Sequence, residues 1–173
     1  NGGLSVLEIT LRSEYGLTAI KQLKQALPQA IIGAGTVLNP SQYQACIDAG
    51  ADFIVSPGST AELLQFGSQS TVPLLPGVAS VSEAMQAMQL GYRRFKLFPA
   101  AVVGGVDTLK AFAGPLSELK FCPTGGIKPN NAADYLALNN VMCVGGTWLT
   151  PKSLTDAKDW HAVHQLALRA AAM

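Results

Sequence analysis

Lys96 stands in Arg93-Arg94-Phe95-Lys96-Leu97-Phe98-Pro99-Ala100, a short apolar run of strand character closed by a proline. Alternation along a strand puts Lys96 and Phe98 on one face and Phe95 and Leu97 on the other. An ammonium among aromatic and aliphatic side chains is poorly solvated, which favours the neutral amine. A neutral amine attacks a carbonyl and forms a Schiff base. Two other readings of the run stay open. Lys96 could be a structural lysine paired with a carboxylate, or it could lie on a solvated edge strand.

A second set of polar groups lies near the amino end. Val6, Glu8, Thr10 and Arg12 share one parity of a strand, and Leu7, Ile9 and Leu11 share the other. The apolar set suits a side covered by helices, so the polar set faces inward. Glu8 and Arg12 on that face are costly unless they pair with each other or serve a substrate. The first case is a structural ion pair. The second makes Glu8 a proton shuttle and Arg12 a carboxylate clamp. Gly33-Ala34-Gly35-Thr36 leaves a strand with little bulk, which close packing or a tight turn explains. The Thr36 hydroxyl then faces the mouth of the site. Ser56-Pro57-Gly58 and Leu75-Pro76-Gly77 read as turns after strands. His161 and His164 fall in a terminal helix and read as structural. Asp107, Asp134 and Asp156 do not cluster, so no metal is expected.

These residues need a scaffold. Strand candidates are Leu4–Thr10, Ala30–Ala34, Asp52–Ser56, Val72–Leu75, Arg94–Phe98, Leu119–Pro123 and Val141–Val144. Helix signals lie between them. Leu17, Ile20, Leu23, Lys24 and Leu27 keep a 3.6-residue period. Asn39-Pro40 is an N-cap followed by proline at the first helical position. Ser80-Val81-Ser82-Glu83 fits a capping box. Trp160, Val163, His164, Ala167 and Leu168 share a helix face. Strand and helix in repeated alternation predict a parallel sheet with crossover helices. Two architectures fit: an open doubly wound sheet, or a (β/α)8 barrel lacking one unit. Thr124-Gly125-Gly126 and Val144-Gly145-Gly146-Thr147 follow the last two strands, where barrels often bind phosphate through backbone N–H groups. A doubly wound sheet would carry its glycine fingerprint after the first strand, and Leu11-Arg12-Ser13-Glu14 is no such fingerprint. The glycines favour the barrel, although both pairs could also be plain turns.

The chain has 173 residues, enough for one domain with a real core, so residues 1–173 read as a single unit. Only 13% of residues are charged and the formal net charge is +1, which gives no electrostatic case for nucleic acid or an acidic membrane. No apolar stretch approaches the roughly 18 residues of a membrane span. Cys46, Cys122 and Cys143 show no CxxC spacing. Cys122 and Cys143 sit in apolar runs, where a thiol is usually a core residue. The expectation is a reducing cytoplasm, with neither disulfides nor zinc.

Six stretches, in order, resemble the 2-keto-3-deoxy-6-phosphogluconate (KDPG) and 4-hydroxy-2-oxoglutarate aldolases. They are Leu7-Glu8-Ile9-Thr10-Leu11-Arg12, Gly33-Ala34-Gly35-Thr36-Val37-Leu38, Ser56-Pro57-Gly58, Phe95-Lys96-Leu97-Phe98-Pro99-Ala100, Phe121-Cys122-Pro123-Thr124-Gly125-Gly126 and Gly145-Gly146-Thr147-Trp148-Leu149. The resemblance implies a class I aldolase without metal or cofactor, a homotrimeric barrel acting on a phosphorylated keto-sugar acid and yielding pyruvate. It also implies the Entner–Doudoroff pathway. It makes Lys96 the Schiff-base lysine and Glu8 the general acid/base. Arg12 and Thr36 would hold the pyruvate carboxylate, with Pro57 and Phe98 lining the pocket. Thr124 matches the position that helps separate KDPG from its galactonate epimer. Gly125, Gly126, Gly145, Gly146 and Thr147 match the phosphate site, where one family pattern has serine in place of Thr147. The family begins with a strand and a helix that closes on a Gly-Gly pair. Here the chain opens at Asn1-Gly2-Gly3, so the expected fold is a barrel missing its first βα unit. Seven strands would remain, with a gap between Leu4–Thr10 and Val141–Val144. Alternatives are a galactonate-epimer aldolase, a phosphosugar isomerase or epimerase on the same barrel, and a non-catalytic phosphate-binding fragment.

Overall fold

The computed structural model describes residues 2–173. Asn1, the first residue of the Asn1-Gly2-Gly3 opening, lies outside the described residues. Among these residues the strands are β1 (Val6–Thr10), β2 (Ile31–Gly35), β3 (Phe53–Val55), β4 (Leu74–Leu75), β5 (Gly77–Val78), β6 (Arg94–Leu97) and β7 (Lys120–Pro123). The helices are α1 (Gly16–Ala26), α2 (Pro40–Asp48), α3 (Ala61–Gln69), α4 (Val81–Met88), α5 (Gly105–Ala113), α6 (Ala132–Leu136), α7 (Lys152–Asp156) and α8 (Trp160–Ala171). Every ladder is parallel, in the orders β1-β2-β3-β4 and β5-β6-β7. Parallel neighbours need crossovers, and the intervening helices supply them.

Two expected strands differ from what the fold contains. Val72–Leu75 shortens to β4, and Gly77–Val78, which begins in the stretch Leu75-Pro76-Gly77 expected to be a turn, forms a further strand, β5, beyond Pro76. Proline has no N–H to give a ladder, although the Pro76 carbonyl still accepts from Lys96 N–H at 2.9 Å. Val141–Val144 is not a strand. It meets β7 at one isolated bridge, Val141 with Phe121, and a second bridge just past both, Gly145 with Thr124, follows it. The offset between partners changes by one residue from the first bridge to the second. That extra residue acts as a bulge and interrupts a continuous ladder. Among the described residues, β1 forms a ladder with β2 alone.

The strands separate an outer apolar face from an inner polar one. Ile32, Ala34, Ile54, Phe95, Leu97 and Phe121 are fully buried beneath the helices. Phe121 stacks between Phe95 at 6.0 Å and Phe112 of α5 at 5.7 Å, centroid to centroid. Leu7, Ile9 and Leu11 pack on the same core, as their parity requires. Tyr43 of α2 meets Phe66 of α3 edge-on at 5.1 Å and donates its hydroxyl to the Val72 carbonyl at 2.6 Å.

Helix starts follow the expected chemistry. Asn39 accepts from Gln42 N–H at 2.9 Å. Ser80 and Glu83 form a full capping box. Asp52 anchors α1 to the sheet, bound by Lys24 at 2.7 Å and by Ile32 N–H at 2.7 Å. Of the C-terminal apolar set, Ala167 and His164 pack against Gly2, while Trp160 and Leu168 are exposed. No helix is long and apolar enough to cross a membrane.

Candidate active site

Lys96 occupies the inner face of β6, level with Gly77 of β5 and Cys122 of β7. It is 6% exposed, so its ammonium end cannot reach bulk water freely. No carboxylate of the described residues lies within ion-pair distance of it; the ion pairs are Lys24–Asp52, Arg93–Glu118 and Lys152–Asp156. Its Nζ sits 5.0 Å from the centre of the Phe98 ring. Of the readings open at the start, the paired structural lysine and the solvated edge lysine are therefore both set aside.

Lys96 lines a cavity of about 360 Å³ together with all eleven other predicted site residues. Glu8 reaches it from mid-β1, and Arg12 from the segment after β1. Thr36, Pro57, Phe98 and Thr124 arrive from the carboxyl ends of β2, β3, β6 and β7. Gly125 and Gly126 continue from β7, and Gly145, Gly146 and Thr147 follow the bridged segment. Ligands gather where strands end because the loops there are free to vary while the sheet holds their roots.

Glu8 and Arg12 form no ion pair with each other. Arg12 instead donates from Nε to the Thr10 hydroxyl at 3.3 Å. The charge of Glu8 reaches β7 across the interior, since it helps raise the thiol of Cys122 and opposes ionisation of Cys143. Hydrogen bonding between the two thiols is the larger effect: it holds Cys122 well above the usual thiol range and brings Cys143 below it. Cys143 is exposed rather than buried in the core, because the bulged segment carrying it has no ladder to seat it.

The glycine loops present uncommitted donors. Gly125 and Gly126 have φ of 94° and 81°, a backbone that other residues resist. Among the described residues, the N–H groups of Gly125, Gly126, Gly146 and Thr147 donate to no backbone carbonyl. All four residues line the cavity, and N–H groups without a backbone partner are donors that an anion can use. Gly145 also has a steric task, since a side chain there would strike the Thr124 hydroxyl. The Ser56-Pro57-Gly58 turn is tied to β5, with Ser59 donating to the Gly77 carbonyl at 2.6 Å and Gly77 N–H donating to Ser56 at 3.3 Å.

Thr10 and Ile127 line the cavity without having been singled out. Thr10 shares the parity of Glu8, which was signal enough to include it. Ile127 gave none beyond its place after the glycine pair.

The sequence profile of the KDPG and KHG aldolases matches residues 1–166. A 2-dehydro-3-deoxy-phosphogluconate aldolase of Pseudomonas aeruginosa is 59% identical over 98% of this chain and 77% of its own length. The chain belongs to the KDPG and KHG aldolase family. A KHG/KDPG aldolase of Escherichia coli is 50% identical over 98% of this chain and 79% of its own length. Among solved structures, a KDPG aldolase of Legionella pneumophila superposes with a TM-score of 0.96 at 47% identity, covering 98% of this chain and 82% of that one. That Legionella protein was captured with pyruvate as a covalent carbinolamine intermediate.

Proposed function

We propose that this chain cleaves KDPG reversibly to pyruvate and glyceraldehyde 3-phosphate through a Schiff base on Lys96. The observation that carries the reading is the buried, unpaired Lys96 sharing one cavity with Glu8 and with free backbone donors.

Lys96 Nζ attacks the C2 carbonyl to give a carbinolamine, which loses water and becomes an iminium. The iminium draws electrons from the C3–C4 bond. Glu8 takes the C4 hydroxyl proton, directly or through a water, as that bond breaks and the aldehyde leaves. The remaining enamine takes a proton at C3. Water then adds at C2 and releases pyruvate from Lys96. Arg12 and Thr36 hold the carboxylate of the substrate, and Pro57 and Phe98 wall the reacting carbons. Gly125, Gly126, Gly145, Gly146 and Thr147 hold the phosphate. Binding energy at that remote group orients C2 and C4 against the catalytic side chains.

The same chemistry accommodates 4-hydroxy-2-oxoglutarate, giving pyruvate and glyoxylate. Thr124 speaks for KDPG over its galactonate epimer. An isomerase or epimerase would need no amine nucleophile and leaves Lys96 without a task. The parallel ladders and the βα order support a (β/α)8 barrel as the architecture, and a homotrimer is the assembly that goes with this reading.

Pyruvate release from KDPG and from its galactonate epimer, followed with a coupled dehydrogenase, tests the proposal. Wild type is expected to favour KDPG, and Lys96→Arg to release none, because arginine stays protonated and forms no imine. Comparable turnover by Lys96→Arg would refute the covalent route.

A further inference from the structure

Two glycines of β2 face the interior, and they clear space for different neighbours. A side chain at Gly33 would strike the ring of Phe53. A side chain at Gly35 would overlap Glu8 Oε1 and come within 2.7 Å of its Cδ and 2.9 Å of its Cγ. Glu8 therefore leans along the strand from its own partner, Gly33, toward Gly35, the partner of Thr10. The three heavy atoms nearest the missing Cβ all belong to the Glu8 side chain, and none is backbone. Gly35 lies outside the left-handed region, so alanine fits its backbone without strain.

We propose that Gly35 is a positioning residue, whose missing side chain is the slot that seats the Glu8 carboxylate for proton transfer. The inference rests on the aldolase reading and deepens it. A methyl group in the slot pushes the carboxylate aside. Glu8 is a flexible side chain, so the fold accommodates the shift easily. The chemistry does not, since a general base must sit within hydrogen-bond reach of its proton. Displacement by about 1 Å at a reacting centre costs on the order of 10²-fold in rate.

The test is a double-mutant cycle of wild type, Gly35→Ala, Glu8→Ala and the double variant. Each is measured for kcat and KM on KDPG, for melting temperature, and for trapping of pyruvate with borohydride. Gly35→Ala is expected to lower kcat by about 10²-fold while KM changes by no more than roughly twofold. It should melt at or above the wild-type temperature and still trap pyruvate on Lys96. In the Glu8→Ala background the same substitution should change kcat by less than about twofold, because the displaced group is gone. Wild-type kcat in Gly35→Ala overturns the proposal. An equal loss in both backgrounds also overturns it, since the effect then bypasses Glu8. So does a marked fall in melting temperature, which would mean that the backbone needs the glycine. Failure of the aldolase reading looks different: wild type would neither cleave KDPG nor trap pyruvate, and both ideas would fall.

Discussion

Thr36→Gly is expected to raise stability and lower activity at once. Thr36 has φ of 63°, in the left-handed region that β-branched residues avoid. An L residue there costs about 1–2 kcal/mol. Glycine removes that cost but restores about 0.5–1 kcal/mol of unfolded-chain entropy. Thr36 is only half-buried, so little packing is lost. The balance is a gain of roughly 0.5–1 kcal/mol, which in a chain of this size raises the melting temperature by about 1–4 °C. The activity term has the opposite sign. A hydroxyl bonded to a charged carboxylate contributes about 1.5–3 kcal/mol. Its loss lowers kcat/KM by about 10- to 150-fold. Calorimetry and steady-state kinetics on the same preparation check both. A variant less stable than wild type would refute the claim that strain is held at this position for function.

Other expectations are independent of Thr36. Substrates without the phosphate should lose kcat as well as affinity, because binding at the glycine loops aids the reacting centre; equal kcat values would contradict this. Burial would raise the Asp52 carboxyl, but hydrogen bonds from Lys24 and Ile32 N–H, with the charge of Lys24, hold it below its usual value. Its folded pKa is depressed, so its stabilisation is present above the unfolded value of about 3.9 and is lost as pH falls through the folded one. The melting temperatures of wild type and Asp52→Asn should therefore differ at pH 6 and converge below about pH 4. Burial pushes the Cys46 thiol up to about 11, whereas Cys143 is exposed and lowered by its bond with Cys122. Mass-resolved alkylation near neutral pH should modify Cys143 first and Cys46 last.

Much of the site was legible because strand parity is a strict rule. Alternation alone put Lys96 inside and Phe95 and Leu97 in the core. It also put Glu8 on the inner face with Thr10. The capping box at Ser80 and the cap at Asn39 were equally readable, since each is a local bond between residues three apart. What escaped depended on partners distant in sequence. The break at Pro76 reflects how β4 and β5 join different ladders. The loss of a strand at Val141–Val144 reflects a one-residue slip against β7, which no local pattern records. The twin glycines of β2 look alike in sequence, yet one clears Phe53 and the other clears Glu8. The conformation of Thr36 was also hidden, because β2 stops one residue before it.

Lys96 is expected to form a covalent imine with pyruvate. Incubation with pyruvate and borohydride, followed by digestion and mass spectrometry, tests it most directly. One adduct is expected, with the mass of pyruvate less water plus two hydrogens, on the peptide containing Lys96, and none in Lys96→Arg. An adduct on a different lysine, or no adduct beside undiminished KDPG cleavage, would contradict it.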